Sequence, residues 1–119
     1  MYSQEVLDHF HNPRNVGELE EPTAVVTASN PICGDTLKLW IRVLEGKVVE
    51  ARFKVQGCVP AVACGSWLTE AINGKTIAEL EAIKSEEIET ALGGLPPASR
   101  HASMLAVTAV REAIEKLQR

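Results

Sequence analysis

The chain has 119 residues, of which 45% are hydrophobic and 24% are charged, and its formal net charge is −4 at pH 7. This length and composition predict one globular domain over residues 1–119 and exclude intrinsic disorder. The acidic balance argues against nucleic acid as a partner, because binding to phosphates needs a basic surface. No apolar run reaches the roughly 20 residues of a membrane span, and the polar N-terminus lacks a signal-peptide core, so we expect a cytoplasmic protein without a membrane partner.

The first half of the chain predicts one short helix and three strands. The helix covers residues 3–10, with Ser3 as its candidate N-cap, and the run Ala24–Ala28 favours a strand. Two further runs, over residues 36–43 and 49–56, alternate polar and apolar side chains on either side of a glycine-containing turn. This pattern predicts an antiparallel hairpin with one face in water and with Val49 on its apolar face.

The second half predicts helices from their start and stop signals. Pro60 suits the beginning of a helix that Gly74 ends, and Thr76 opens a capping box. Ser85 is the expected cap of a further short helix, and a long last helix is expected over residues 99–117. Strands followed by helices predict an α+β fold with two layers, in which a three-stranded antiparallel sheet packs against helices.

Residues that can bind a metal ion flank the predicted hairpin. Cys33 and Asp35 come just before its first strand, and Gly57 and Cys58 follow its second strand. Because the two ends of an antiparallel hairpin are adjacent, we expect Cys33, Asp35 and Cys58 to converge. Gly57 has no side chain and leaves room for close approach by a partner group or an ion.

The chemistry of these residues indicates a metal site. Cys58 precedes a helix N-terminus, whose partial positive charge favours the thiolate form that binds metals. His101, in the first turn of the last helix, could complete the set with Cys33, Asp35 and Cys58. Two thiolates, an imidazole and a carboxylate suit tetrahedral zinc or an iron site.

Each candidate also has a structural interpretation. Cysteines are common in protein cores, an aspartate can serve a turn, and a lone histidine is often a surface residue. Cys64 shares one helical stripe with Leu68 and Ile72, which favours a packing role over that of a spare thiol. For His9 and His11 the sequence indicates no residue that would act together with them, and both are expected at the surface.

Several of these segments together resemble the IscU/NifU N-terminal family of iron–sulfur cluster assembly scaffolds. The resemblance rests on the segment from Asn30 to Asp35, on Gly57-Cys58, and on Leu95-Pro96-Pro97 followed by His101; the segment from Asn12 to Gly17 is also similar. It implies an α+β scaffold with its metal site at one end. It also implies a binding protein rather than an enzyme, which takes sulfur from a cysteine desulfurase and passes a labile 2Fe-2S cluster to iron–sulfur acceptor proteins.

The resemblance implies Cys33, Asp35, Cys58 and His101 as the residues that bind the cluster or its iron, or zinc in the same pocket. It also has two departures. The family usually has a third cysteine directly after the histidine, where this chain has Ala102. Family members with a dedicated heat-shock chaperone carry Val-Lys after Leu-Pro-Pro, where this chain has Ala98 and Ser99, which argues against chaperone docking through Leu95-Pro96-Pro97.

The missing cysteine leaves several hypotheses open. The chain could still assemble clusters with its four remaining ligands, or it could be a degenerate scaffold that binds zinc or iron. It could also accept persulfide from a desulfurase, with Cys58 as the preferred thiol and Cys64 as the substitute. The sequence leaves open whether the chain forms a homo-oligomer.

Overall fold

The computed structural model describes residues 2–31 and 34–118. In chain order the elements are the helix α1 (Gln4–His11), the strands β1 (Ala24–Ser29), β2 (Thr36–Leu44) and β3 (Lys47–Gln56), and the helices α2 (Val59–Ile72), α3 (Ile77–Glu81), α4 (Ser85–Ala91) and α5 (Arg100–Leu117), with a 3-10 turn at Pro97–Ser99 before α5. This order confirms the predicted α+β fold. Within the described ranges, no helix combines the length and the apolar character that a membrane span requires.

The sheet has the strand order β1–β2–β3, and β2 pairs antiparallel with both neighbours. The hairpin of β2 and β3 runs in one register from Thr36 opposite Gln56 to Arg42 opposite Glu50. Because side chains alternate along a strand, Leu37, Leu39 and Ile41 form one buried row, each at most 1% exposed. This row faces the helical layer, and continuing it by one step places residue 35 on the same face.

The predicted alternation fails at the far end of the hairpin. The register shifts after Arg42, so that Val43 lies opposite Val48 and Val49 is an extra residue in β3. Val48 is fully buried, whereas Val49 is 43% exposed. Our placement of Val49 on the apolar face is therefore wrong, because a β-bulge shifts the side-chain alternation by one position.

Helices α2 and α5 form the second layer against the sheet. Helix α2 packs on β3, and α5 packs on β1 and β2. The approach of α2 is close at Gly65, where an ideal Cβ atom would lie 2.6 Å from Cδ2 of Phe53. A side chain at this position would overlap the Phe53 ring, so the glycine sets the spacing between helix and sheet.

Most helix boundaries follow the predicted signals. Ser3 caps α1 by accepting a hydrogen bond from the Val6 N–H, and Thr76 forms the predicted capping box with Glu79. One cap differs from the prediction. Lys84 is the N-cap of α4, and Ser85 is its first residue, whose hydroxyl donates to Glu86. Ser85 therefore does not cap α4 with its side chain.

His9 is buried at the contact between α1 and α2, contrary to its expected surface position. The residue is 8% exposed, and its Nδ1 is hydrogen bonded to Ser66 Oγ at 2.7 Å. Burial lowers the pKa of His9, and the positive charge of Arg14 lowers it further, although Glu70 and Asp8 act in the opposite direction. His11 is exposed, as predicted.

The depressed pKa of His9 predicts that acid destabilises the fold. Since the unfolded chain binds a proton on His9 near pH 6.5 and the folded chain does so at lower pH, stability should fall as pH decreases through this range. Urea unfolding at about pH 7.5 and about pH 5.5 measures the effect. His9→Asn should reduce the difference between the two pH values, because the amide does not titrate.

His11→Asn is the matched control, since His11 is exposed on the same helix. It should keep the pH dependence of the wild type. An unchanged pH dependence in His9→Asn would contradict the assignment to His9.

Candidate metal centre

Asp35 lies at the end of the buried row of β2. It directly precedes Thr36, and its backbone carbonyl accepts a hydrogen bond from the Asn30 N–H at 2.8 Å. Its side chain is 8% exposed, which is unusual for a carboxylate. The alternation of the strand therefore places an acid on the core-facing side, beside the helical layer.

Cys58 follows the other strand of the hairpin and is the N-cap of α2. Its thiol donates a hydrogen bond to Oδ2 of Asp35, with a distance of 3.0 Å between Sγ and the oxygen. This contact confirms that the two ends of the hairpin bring Asp35 and Cys58 together.

His101 reaches the same place from the second layer, as the second residue of α5. Its Nδ1 is 3.1 Å from the backbone carbonyl oxygen of Ala98, which can accept the ring proton. Its Nε2 is 3.8 Å from Cys58 Sγ and 3.4 Å from Asp35 Oδ2. A carbonyl that accepts the proton of one ring nitrogen leaves the lone pair of the other available to a metal ion.

These three side chains form a compact donor group. One donor atom from each lies within 4.8 Å of the others, and residues 2–31 and 34–118 hold no second such group of three or more His, Cys, Asp or Glu residues. The fourth predicted ligand, Cys33, lies outside the described residues, so its place beside the other three stays a prediction.

The donor set fits a transition-metal ion. It offers a sulfur, a nitrogen and an oxygen atom, and three protein donors leave one position open on a tetrahedral ion. Thiolate and imidazole favour zinc and iron over calcium or magnesium, which prefer oxygen ligands.

The structure reverses the predicted acidity of Cys58. Burial raises the pKa of the Cys58 thiol, and the hydrogen bond to Asp35 raises it further, whereas the backbone N–H of Ala61 acts in the opposite direction. The Ala61 N–H at the start of α2 lowers the pKa of Cys58, as predicted for a helix N-terminus, but the net pKa is raised, so our expectation that Cys58 favours the thiolate is wrong. The nearby carboxylate and the loss of solvent outweigh the helix end.

The other two residues of interest near the site belong to the core. Cys64 is fully buried, and burial raises the pKa of its thiol to about 12. This confirms its packing role and argues against a substitute thiol. Ala102 is also fully buried, although it is next to His101 in the chain.

Sequence reasoning left two features of the site unspecified, namely the group that orients His101 and the group that occupies the room at Gly57. The Ala98 carbonyl that orients His101 comes from the turn at Pro97–Ser99, which no side-chain pattern marks. The room predicted at Gly57 is used by a group of the protein itself, since an ideal Cβ atom there would lie 2.7 Å from Cγ of Asp35. The only sequence signal for the second feature is the glycine.

Comparison with known proteins identifies the family of this chain. The family model described as the NifU-like N terminal domain matches residues 1–119. The chain belongs to this family. An iron-sulfur cluster assembly scaffold protein, IscU 1 of Archaeoglobus fulgidus, is 45% identical over 114 residues, which are 96% of this chain and 74% of that protein.

One further relative agrees with this assignment, and a solved structure agrees with the fold. The iron-sulfur cluster assembly scaffold protein IscU of Escherichia coli K12 is 44% identical over 95% of this chain and 91% of its own length. The crystal structure of a nitrogen-fixing NifU-like protein (N-terminal) from Brucella abortus superposes with a TM-score of 0.80, covering 98% of this chain and 93% of that chain. At 24% identity the latter similarity supports the fold.

Asp35→Asn should lower the pKa of Cys58 in the metal-free protein. The substitution removes the negative charge that disfavours the thiolate, although the contribution of burial remains. The rate of iodoacetamide alkylation at Cys58, followed by peptide mass spectrometry across pH, should have its midpoint at lower pH than in the wild type.

Glu50→Gln is the matched control, because Glu50 pairs with Arg42 and Arg52 at the outer side of the sheet. It should leave the alkylation profile unchanged. A midpoint that stays in place or rises in Asp35→Asn would contradict the electrostatic role of Asp35.

Proposed function

We propose that this protein is an iron–sulfur cluster assembly scaffold that binds iron and a labile 2Fe-2S cluster at the site of Asp35, Cys58 and His101. The observation that supports the proposal most strongly is the convergence of these three side chains from three different elements, with distances of 3.0 to 3.8 Å between their donor atoms. The scaffold names of relatives at 44–45% identity support the same function.

The ligand set suits a cluster that is transferred to other proteins. A 2Fe-2S cluster takes four protein ligands, usually thiolates. This chain offers Cys58, His101, Asp35 and, as a predicted fourth ligand, Cys33. Since oxygen and nitrogen donors hold iron less tightly than thiolates do, we expect the cluster to be weakly bound and transferable.

The proposed role is that of a carrier and not of an enzyme. A cysteine desulfurase would supply the sulfur, and iron–sulfur proteins would accept the completed cluster. A partly exposed site supports such transfer, since the His101 side chain is 24% exposed and Cys58 is of intermediate exposure. A partner can therefore reach the site from the side of His101.

Two cysteines of α2 and its cap provide a matched test. Cys58→Ala removes a proposed ligand, whereas Cys64→Ala removes a buried thiol from the core. After anaerobic reconstitution with ferrous iron and sulfide, the wild type and Cys64→Ala should show the visible absorption of a cluster. Cys58→Ala should lose most of it, by about tenfold or more, because the remaining ligands are too few.

Two results would contradict this proposal. The first is the absence of any cluster in the wild type at every protein concentration tested. The second is an equal yield in the Cys58→Ala and Cys64→Ala variants, which would place the bound iron elsewhere.

A second candidate function is a zinc- or iron-binding protein without cluster assembly. The mixed donor set of Asp35, Cys58 and His101 favours it, because one ion can contact all three without added sulfide. Elemental analysis of protein purified without added metal discriminates between the two. About one zinc per chain that sulfide and iron do not displace would favour this alternative, whereas metal replaced by a cluster would support the scaffold.

A persulfide-accepting role is less favoured. Attack on a desulfurase persulfide needs a thiolate, and burial together with Asp35 raises the pKa of Cys58. Cys64 has no solvent exposure through which a desulfurase could reach it.

A further inference from the structure

Gly57 lies directly across the hairpin from Asp35. The last regular pair of the hairpin joins Thr36 to Gln56, so the next position along the register sets Asp35 against Gly57. Directly opposite residues of an antiparallel pair normally have Cβ atoms about 4.5–5.5 Å apart. An ideal Cβ atom at Gly57 would lie only 3.0 Å from Cβ of Asp35 and 2.7 Å from its Oδ1.

The short distance from the ideal Cβ position of Gly57 to Oδ1 of Asp35 follows from the orientation of the Asp35 carboxyl group. The carboxyl group of Asp35 extends across the space in front of Gly57 and reaches Cys58, the next residue of the chain, at 3.0 Å. A side chain at position 57 would occupy that space. The aspartate would then have to turn away from Cys58 or the strand ends would have to separate.

The backbone gives no other reason for a glycine at position 57. Six glycines of the described chain have positive φ angles, which favour glycine by themselves, and Gly57 is not among them. Gly34 at the same end of the sheet shows the contrast, with a φ of 75° and, among the described residues, no atom within 4 Å of the position that its Cβ would take. Alanine could adopt the backbone of Gly57, and the obstacle is the side chain of Asp35, with Cγ and Oδ1 at 2.7 Å and Cβ at 3.0 Å from the ideal Cβ position.

We propose that Gly57 is a positioning residue, whose lack of a side chain lets Asp35 act as the third donor beside Cys58 and His101. The inference rests on the proposed metal-binding function and adds to it a determinant of the ligand set. With a methyl group at position 57, the site would keep its sulfur and nitrogen donors and lose its oxygen donor.

A double-mutant cycle tests this inference with zinc and cobalt(II) as probes. The affinity of each variant is measured by competition with a chromophoric chelator, and the absorption of bound cobalt reports the ligand set. Gly57→Ala should weaken binding by about tenfold or more, by the same factor as Asp35→Ala, and should change the cobalt spectrum in the same way. In the Asp35→Ala background, Gly57→Ala should change the affinity less than about twofold, since the two substitutions act on one contact.

Urea unfolding of the metal-free variants gives an independent readout of the same contact. Gly57→Ala should lower the unfolding midpoint in the wild-type background and lower it much less when Asp35 is alanine, because only the Cβ contact at 3.0 Å then remains. If Gly57→Ala fails to fold, recovery of folding in the double variant would support the inference. Failure of both to fold would overturn it, because the need for glycine would then not arise from the Asp35 carboxyl group.

Gly65→Ala is the matched control. It adds the same methyl group against Phe53 in the core, at a similarly short distance of 2.6 Å from Cδ2, and leaves the donor group unchanged. It should lower the unfolding midpoint and keep the wild-type metal affinity. Loss of affinity in this control would assign the effect of Gly57→Ala to general instability and overturn the inference.

The outcomes separate the inference from the function on which it rests. Wild-type affinity in Gly57→Ala or in Asp35→Ala would overturn the positioning role and leave metal binding intact. Failure of the wild type itself to bind either ion would contradict the proposed function, and the role of Gly57 in it would be overturned at the same time.

Discussion

The antiparallel register of β2 and β3 is the constraint on which the site depends. Thr36 pairs with Gln56, and this pair fixes which residues meet beyond the end of the sheet. Since strand side chains alternate with a period of two, a slip of one residue would turn Asp35 to the outer face and separate it from Cys58. The buried row of Leu37, Leu39 and Ile41 prevents such a slip, because it would expose all three. The hydrophobic core of the sheet therefore also sets the geometry of the donor group.

The surroundings of Cys58 favour the protonated thiol. Burial and the Asp35 carboxylate favour the neutral Cys58 thiol, which donates a hydrogen bond to Oδ2 of Asp35 at 3.0 Å. A bound metal ion would reverse this preference, because its charge stabilises the thiolate and satisfies the carboxylate at once. Metal binding would then release a proton, and the affinity for the metal ion would fall at low pH. This coupling between metal binding and protonation suits a site that binds its metal ion or cluster reversibly.

The sequence was sufficient to predict the site where local rules determine the geometry. The hairpin follows from alternation around one turn, and the meeting of Asp35 and Cys58 follows from the hairpin. The features that it could not predict depend on packing between distant elements. His9 is buried because α1 lies on α2 at Ser66, 57 residues away in the chain. The acidity of Cys58 depends most on its burial, which residue type does not reveal. The bulge at Val49 has no signal in the alternating pattern of β3.

X-ray absorption at the zinc edge of the zinc-loaded protein tests the central claim most directly. The account predicts sulfur at about 2.3 Å together with nitrogen or oxygen at about 2.0 Å, with the outer scattering of an imidazole ring. A first shell of oxygen and nitrogen alone, without sulfur or imidazole, would contradict a shared site of Cys58, His101 and Asp35.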